Sequence, residues 1–396
     1  MKRIGITLVL GITVAIMSAC GGGGGTPSGT SAGPIPAVSA PTVLPRAVAA
    51  TPIPVLRSSY ENKIAAATAI GSQSLSSEVA TGNAVAFADF FHDGTYAMVT
   101  HSLEYNPQDS STANKFGHIH FYKSVNGIWV DHTADILSNT AGCLHPRKAV
   151  VADFNGDGKP DVFFACHGFD ASPFPGEQPH ILLSQADGSY KNATLPFTGY
   201  FHSASAADFS GRGFADIVVV DPIQAGTPYF LTNNGDGTFT QSTTRLACAA
   251  CNHSQIYTTE LIDFNRTGKY DLFLAGTAPD GNAQNPNPFI PTIFTNSGDG
   301  TYAQSNSTQL PYNSQYETTL DVLAVNGAIY TTNVHLTYDA QVYGNSDIEK
   351  TVGSNSSQIW VGNQRFPNQV SWVNWIIPYQ GKIDSLDSDY GISVPQ

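Results

Sequence analysis

The chain has 396 residues, of which only 12% are charged, and it contains 37 glycines, 24 prolines and 11% aromatic residues. Long surface helices need Glu, Lys and Arg, so this composition disfavours an α-rich protein and favours short strands joined by turns. The formal net charge of −13 argues against nucleic acid as a partner, because phosphates require a basic surface. An acidic chain of this kind suits a protein that binds divalent cations.

The N-terminus has the features of an export signal. Two basic residues precede an apolar run from Ile4 to Met17 that is too short for a membrane-spanning helix. Small residues then precede Cys20, so the segment resembles a lipobox, which implies a signal peptide over residues 1–19 and lipidation of Cys20. We therefore expect a protein anchored to a membrane of the bacterial cell envelope, the outer membrane in our prediction. The alternative is an ordinary signal peptide and a secreted protein.

Residues 20–55 form a distinct segment that is rich in Gly, Pro, Ser, Thr and Ala. Such a composition has little apolar surface to bury and predicts disorder. The segment would act as a flexible tether between the lipid anchor and a folded part. We assign residues 56–396 to that folded part.

The folded part contains an internal repeat. Asp-Phe recurs four times, each time followed by a turn and an apolar run, and a later Asp-Gly or Gly-Asp-Gly turn separates two further apolar segments. Each unit therefore predicts two hairpins, or four short antiparallel strands. Radial repetition of such units is typical of a propeller. The four copies are Asp89-Phe90, Asp153-Phe154, Asp208-Phe209 and Asp263-Phe264.

These repeats predict an all-β fold, a β-propeller of four-stranded antiparallel blades. Residues 316–369 supply a fifth blade without the acidic turn, and residues 370–396 together with 56–80 are expected to form a mixed closing blade. This gives six blades, with seven as the alternative. A pair of β-sandwiches would explain the strands but not their regular period.

The second repeat contains the best candidate metal loop. Oxygen-bearing side chains fall at loop positions 1, 3, 5 and 9, as Asp153, Asn155, Asp157 and Asp161, and the carbonyl of Lys159 falls at position 7. Calcium prefers six to eight oxygen ligands, which alternating positions of a tight turn can direct at one centre. The loop resembles that of FG-GAP (VCBS-type) repeats, as in integrin α-chain propellers, and the resemblance covers residues 84–310 well. It implies Ca²⁺ as a cofactor and a lectin-like or adhesive role.

The other acidic loops depart from this pattern. The fourth repeat keeps Asp263, Asn265 and Asp271, which predicts a weaker calcium site. In the third repeat Arg212 stands at position 5, where its guanidinium would replace the charge of a cation by pairing with the loop carboxylates. The first repeat lacks the position 9 carboxylate. The alternative for every loop is that the carboxylates only cap turns through Asx hydrogen bonds.

Four further cysteines in an exported chain suggest disulfides. Cys143 precedes the first strand of the second blade and Cys166 follows the second strand, so the two should lie side by side. Cys248 and Cys251 are expected to bond with each other. A redox C-x-x-C motif and a zinc site including His253 are the alternatives for that pair, although no thioredoxin-like context surrounds it and three ligands fall short of a closed zinc site.

Unusual residues gather in the loops opposite the acidic turns. Arg147, His202 and Tyr257 each stand six residues before a key aspartate, and His145 and His167 lie in neighbouring loops. Because the first strand of a blade is innermost, these side chains should surround the mouth of the central channel, a concave and polar place for a ligand. The alternative is that polar residues simply collect at loop-rich rims.

Three functional hypotheses follow. The first is a non-enzymatic binding or adhesion module that binds either carbohydrate or a protein partner. The second is a polysaccharide lyase that uses His202 or Tyr257 as base and Arg147 to neutralise a uronate; the third is a structural scaffold of the envelope. We assign no catalytic residues, because the sequence shows no glycosidase-type carboxylate pair, serine nucleophile motif or phosphate loop. The first hypothesis is therefore preferred, and we expect a monomer.

Overall fold

The computed structural model describes residues 50–71, 84–106, 109–252, 256–276, 288–315, 318–337, 342–362, 375–385 and 392–396. Within these residues the chain folds into six successive antiparallel sheets. This confirms the predicted all-β propeller with six blades. Both predicted disulfides are also confirmed: Cys143 is bonded to Cys166, and Cys248 to Cys251.

Five of the six described sheets have four strands. The first contains β1 (Val85–Ala88), β2 (Ala97–His101), β3 (Ile119–Val125) and β4 (Ile128–Asp131). The second contains β5 (Pro146–Ala152), β6 (Asp161–Cys166), β7 (His180–Ser184) and β8 (Tyr190–Thr194). The third contains β9 (Ser203–Ala207), β10 (Asp216–Val220), β11 (Tyr229–Asn233) and β12 (Phe239–Ser242).

The remaining sheets follow in chain order. The fourth contains β14 (Ile256–Ile262), β15 (Asp271–Gly276), β16 (Thr292–Phe294) and β18 (Ser307–Gln309), while β13 (Leu246–Ala247) and β17 (Tyr302–Ala303) pair in parallel beside it. The fifth contains β19 (Thr318–Val325), β20 (Ala328–Thr337), β21 (Val342–Val352) and β22 (Asn355–Gly362). The sixth has three described strands, β23 (Ile376–Tyr379), β24 (Lys382–Ser385) and β25 (Ser393–Pro395).

The apolar runs after the acidic turns hold neighbouring blades together. All six residues of β6 are buried, and successive side chains of a strand point to opposite faces. Phe164 therefore packs in the core between the first and second sheets, whereas Phe163 packs in the core between the second and third. The ring closes where Phe87 of the first sheet meets Trp375 and Ile377, which precede and belong to the sixth.

One expectation about the closing blade is wrong for the residues that the structure describes; residues 72–80 of the segment assigned to that blade lie outside them. Residues 59–70, which we assigned to that blade, form the helix α1 (Ser59–Ile70), and all described strands of the sixth sheet come from the C-terminal segment. The helix begins at Ser58, whose side chain forms a capping box with Glu61, an arrangement that satisfies two backbone donors and favours a helix at this point. A second, four-residue helix, α2, spans Thr133–Ile136.

Helix α1 lies in the central channel. It contacts the innermost strands β1, β5, β9, β14 and β23, and it reaches β19 through Tyr60, whose hydroxyl donates to the carbonyl of Ala324 and accepts from its N–H. Near the N-terminus of the helix the hydroxyl of Ser59 is 3.1 Å from that of Ser205 in β9. After its C-terminus Gly71 lies so close to Tyr379 that a Cβ would come within 2.6 Å of the ring. The helix thus spans the channel from the third blade to the sixth.

The two ends of the propeller differ. The turns between the first and second strands, which carry the acidic loops, define the acidic-loop end. Residues 50–57 lie extended at this end, where the N–H of Ile53 donates to Asp89 and the carbonyl of Arg57 accepts from Asp208. Cys20 lies outside the described residues. No helix in the described ranges is both long and apolar enough to cross a membrane.

Candidate functional site

The end opposite the acidic loops carries a group of aromatic and imidazole rings, which we call the ring cluster: His145, His167, Tyr200, His202 and Tyr257. The ring centroids of His145 and His167 are 3.9 Å apart, and His167 stacks on Tyr200 at 4.1 Å. His202 follows at 6.0 Å from His167, with Tyr257 at 4.4 Å from His202. The rings therefore form one continuous patch.

Local irregularities in the innermost strands position two residues at this patch. The register of β5 against β6 shifts at Arg147, and that of β14 against β15 shifts at Tyr257. Such a bulge bends the strand and redirects the side chain of the extra residue. Both residues are half-buried. Two of the three residues that share the sequence offset before the key aspartates, Arg147 and Tyr257, thus also share a backbone irregularity.

Hydrogen bonds fix the orientation of His202. Its Nδ1 lies 3.1 Å from the carbonyl oxygen of Tyr257 and therefore donates, while its Nε2 lies 3.0 Å from Nη2 of Arg147 and accepts. Burial, and then the positive charge of Arg147, hold the pKa of His202 well below its ordinary value. His202 is therefore a neutral imidazole at physiological pH.

His145 and His167 are also neutral. They are only 5% and 1% exposed. Burial lowers the pKa of His145 to about 2, with Arg147 as a second cause, and burial also holds the pKa of His167 well below its ordinary value. Neutral imidazoles retain a lone pair, which can accept a hydrogen bond or bind a metal.

Polar side chains continue from the ring cluster into the channel. Lys148 forms an ion pair with Glu260 and donates to the carbonyl of Thr259. Ser205 donates to the other carboxylate oxygen of Glu260 at 2.8 Å, and its hydroxyl also contacts Ser59 of α1. The charges inside the channel are thus compensated within the protein.

The structure brings together all five residues of the predicted ligand face: Arg147, His202, Tyr257, His145 and His167. Sequence reasoning missed Asp170, which lies beside His145 and His167 and accepts a hydrogen bond from Tyr200. It also missed Glu177, which accepts from the N–H of Leu144 at 2.9 Å and whose pKa burial raises to about 7. Both lie in the insertion that follows β6, whose length was the only sequence signal.

At the opposite end, backbone groups hold the carboxylates of the second acidic loop. Asp153 accepts from the N–H groups of Gly156 and Gly158 at 2.6 and 2.8 Å. Asp161 accepts from the N–H of Phe154 at 2.7 Å and from Ser184. The turn-capping hydrogen bonds of our alternative interpretation are therefore present, and Asp157 and Asp161 both accept from the hydroxyl of Ser184.

The acidic loops differ in how their charge is balanced. In the third blade Arg212 and Arg245 pair with the two oxygens of Asp216 at 2.7 and 2.8 Å, and in the first blade Lys123 pairs with Asp93. No lysine or arginine within the described ranges pairs with a loop carboxylate of the second or fourth blade. Lys159 itself points away and donates to the carbonyl of Gln185.

Burial affects the pKa of the carboxylates in these two loops. It raises the pKa of Asp161 in the second blade to about 7 and also raises the pKa of Asp271 in the fourth. Desolvation disfavours a charged carboxylate unless a positive charge compensates it. The second and fourth loops therefore lack the counter-charge that the first and third obtain from the protein.

Solved structures with similar folds are distant from this chain. They include a candidate exo-β-1,3-galactanase from Bifidobacterium bifidum s17 (TM-score 0.37, 10% identity, covering 67% of this chain and 87% of that one). An α-L-arabinanase mutant from Cellvibrio cellulosa scores 0.34 at 10% identity, with 64% and 87% covered, and a β-fructofuranosidase from Bombyx mori scores 0.34 at 10% identity, with 66% and 59% covered. Similarities this low carry no functional conclusion to this chain.

Sequence comparison gives a more specific result. No curated protein sequence matches the chain significantly. Residues 153–219 and 208–274 match the FG-GAP-like repeat family, and these two overlapping segments contain the second, third and fourth acidic loops. The chain is therefore a six-bladed β-propeller in which residues 153–274 match FG-GAP-like repeats.

Proposed function

We propose that the chain is a binding module that captures an acidic carbohydrate at the ring cluster. The observation that carries this proposal is the placement of Arg147 and Tyr257 on matching bulges around the neutral His202. A guanidinium recognises a carboxylate through two parallel, charge-assisted hydrogen bonds. Half-buried aromatic rings offer an apolar surface with a polar edge, which suits the faces and hydroxyls of a sugar.

Charge at the mouth favours an acidic ligand over a neutral one. Lys148 is already neutralised by Glu260, whereas Arg147 donates to an uncharged imidazole. The positive charge of Arg147 is thus not cancelled by the partner it contacts. A uronic acid supplies the missing carboxylate, and its hydroxyls suit the donors and acceptors of the neighbouring rings.

Replacing Arg147 with alanine should weaken the binding of oligogalacturonides by roughly 10- to 100-fold, because a hydrogen bond to a charged group contributes about 1.5–3 kcal/mol. Titration calorimetry would measure the affinity, with neutral oligosaccharides of equal length as comparison ligands. Arg266→Ala is the matched control, since Arg266 is exposed in the fourth acidic loop. Equal binding by wild type and Arg147→Ala would contradict the proposed role of Arg147.

A second candidate, a uronate lyase, is favoured by the state of His202. The Nε2 lone pair of this neutral imidazole faces Arg147, so a ligand carboxylate that engages Arg147 would free a base next to the carbon that loses a proton. The same oligogalacturonides serve as the test, because elimination gives unsaturated uronates that absorb ultraviolet light. Binding without such products favours the non-enzymatic module.

We propose Ca²⁺ in the acidic loops of the second and fourth blades. The donor set of the second loop, Asp153, Asn155, Asp157, Asp161 and the carbonyl of Lys159, suits a hard cation that prefers oxygen ligands. The uncompensated buried charge supports this assignment. In the first and third blades a lysine or arginine already supplies the positive charge, so those loops need no cation. The fourth loop, with Asp263, Asn265 and Asp271, would be the weaker site. Bound calcium would stabilise the fold rather than take part in ligand binding, since the loops lie at the opposite end.

We propose that Cys20 is lipidated and that residues 20–49 tether the propeller to a membrane of the cell envelope. The first described residues, 50–57, lie at the acidic-loop end. Cys20→Ser should shift the protein from the membrane fraction to the soluble fraction after cell fractionation. If wild type and variant distribute alike, the anchoring proposal is wrong.

A further inference from the structure

Three side chains at the ring cluster have an arrangement that ligand binding does not explain. His145, His167 and Asp170 each offer one nitrogen or oxygen atom, and these atoms all lie within 4.8 Å of one another. Two imidazoles and one carboxylate form a donor set typical of a transition metal rather than of calcium. We propose that these three residues bind one divalent transition-metal ion of the zinc class, at a site that is distinct from the acidic loops and adjoins the proposed carbohydrate site.

A second observation points to the same ion. Nδ1 of His145 is buried and has no hydrogen-bond partner among the described residues, and His145 as a whole is 5% exposed. A buried polar atom without a partner costs about 1–3 kcal/mol, so such atoms usually mark a missing water, ion or ligand. A metal ion beside His145 would complete the coordination of this imidazole.

The protein holds the first two ligands in place. His145 follows Cys143 by two residues and His167 directly follows Cys166, and these cysteines form a disulfide with Cα atoms 6.1 Å apart. Within the same hairpin Pro146 pairs with Cys166. The cross-link therefore fixes the separation of the two imidazoles before any ion binds, which reduces the entropy lost on binding.

Neighbouring groups orient the ligand atoms. Nδ1 of His167 is 3.0 Å from the carbonyl of Gly168 and therefore donates, which leaves Nε2 as the atom with a lone pair. Asp170 accepts from the hydroxyl of Tyr200, and its N–H donates to the hydroxyl of Tyr105 at 3.1 Å. Contacts of this kind from the ring nitrogen of a histidine and from a ligating carboxylate are the usual outer support of a metal site.

Three protein ligands leave a position open for a fourth. Closed structural zinc sites have four protein ligands, whereas sites with three keep a position for water or a ligand. The single carboxylate does not neutralise a divalent ion, and Arg147, two residues after His145 and in contact with His202, adds positive charge nearby. The open position therefore favours an anionic donor, such as hydroxide or a carboxylate.

The test is zinc binding by the chain from residue 20 onward, with both disulfides formed and with millimolar Ca²⁺ present to occupy the acidic loops. We expect one Zn²⁺ per chain by equilibrium dialysis, and a visible absorption band when Co²⁺ replaces Zn²⁺. His145→Ala and Asp170→Asn should each weaken Zn²⁺ binding by more than about 100-fold, beyond the 10- to 100-fold typical of outer-shell changes. His118→Ala is the matched control, because His118 also pairs with a carboxylate, Glu104, but on the surface.

Asp170→Asn decides the test if His145→Ala does not fold, because Asp170 is only half-buried and lies in a loop. Circular dichroism and a thiol assay would establish that each variant is folded and oxidised. The proposal is overturned if folded wild type binds no stoichiometric Zn²⁺, if binding survives Asp170→Asn, or if His118→Ala loses it equally. Oligogalacturonide binding is measured with and without Zn²⁺, so that a failure of the metal proposal can be distinguished from a failure of the proposed function.

Discussion

Replacing Arg245 with alanine should lower the free energy of unfolding by about 3–5 kcal/mol, the range for removing one partner of a buried ion pair. Arg245 pairs with Asp216, and the two side chains are only 13% and 6% exposed. Its guanidinium also lies over the rings of Phe209 and Phe230 and donates to the carbonyl of Gly300 at 2.9 Å. The substitution would leave Arg212 as the remaining cationic partner of Asp216 and would remove the contacts of the guanidinium with the two rings and with Gly300. Denaturant unfolding followed by circular dichroism would measure the change.

The matched control is Lys123→Ala in the first blade. Lys123 also pairs with an acidic-loop carboxylate, Asp93, but the two side chains are 28% and 34% exposed. Exposed ion pairs contribute about 0–1 kcal/mol because water and salt screen them. If Arg245→Ala lost as little stability as Lys123→Ala, the third blade would not depend on a buried cation. The contrast between paired and unpaired loops, from which we infer calcium in the other blades, would then be removed.

Removing calcium should lower the free energy of unfolding by about 3–4 kcal/mol if the chain is first saturated at 100 to 1,000 times the dissociation constant. The loop of the second blade would lose most, because its carboxylates have no lysine or arginine partner within the described part of the chain. Thermal unfolding with Ca²⁺ and with excess chelator measures the difference. Asp157→Ala should abolish most of the shift, because it removes one of the proposed calcium ligands. The variant should still fold, since Asp157 is exposed and its contacts are confined to the turn and to Ser184.

Asn234→Ala provides the control for this experiment. Asn234 is an exposed polar residue of a different turn, hydrogen-bonded to Thr238, so its substitution should leave the calcium-dependent shift intact. Equal melting curves with calcium and with chelator would rule out a structural ion in either loop. The turn-capping hydrogen bonds of Asp153 and Asp161 would then be their complete role.

The strands and the acidic turns could be predicted from sequence because their signals are local. An apolar run such as Val162 to Cys166 predicts a buried strand, and a recurring Asp-Phe predicts a recurring turn. The disulfide between Cys143 and Cys166 follows from hairpin geometry, which places residues before one strand beside residues after the next. Arg212 could be assigned to its carboxylate because partner and loop lie within nine residues of each other.

Helix α1 was missed although its local signal exists. Ser58 and Glu61 stand at the spacing of a capping box, and an alanine-rich segment follows. The repeat pattern nevertheless required further strands to complete the closing blade, and we assigned this segment to them in spite of the capping-box signal. The position of the helix depends on contacts with strands more than 200 residues away, such as that between Tyr60 and Ala324, which no local pattern encodes.

The ring cluster was predicted in part. The repeat offset placed Arg147, His202 and Tyr257 near one mouth, because equivalent positions in successive blades face the same axis. The proximity of Asp170 to His145 and His167 depends on the path of a long loop, and loop paths are not set by strand periodicity. The orphaned Nδ1 of His145 is likewise a property of packing.

The helix at the axis also determines what kind of folding unit this protein can be. A 12-residue helix is marginal alone in water, and its partners on the innermost strands extend from β1 to β23, nearly the whole domain. In solenoid repeats each unit contacts only its neighbours, so folding can spread from any point. Here no subset of blades completes the environment of α1. The N-terminal helix must therefore wait for the C-terminal strands, which makes the domain cooperative and its folding slow for its size.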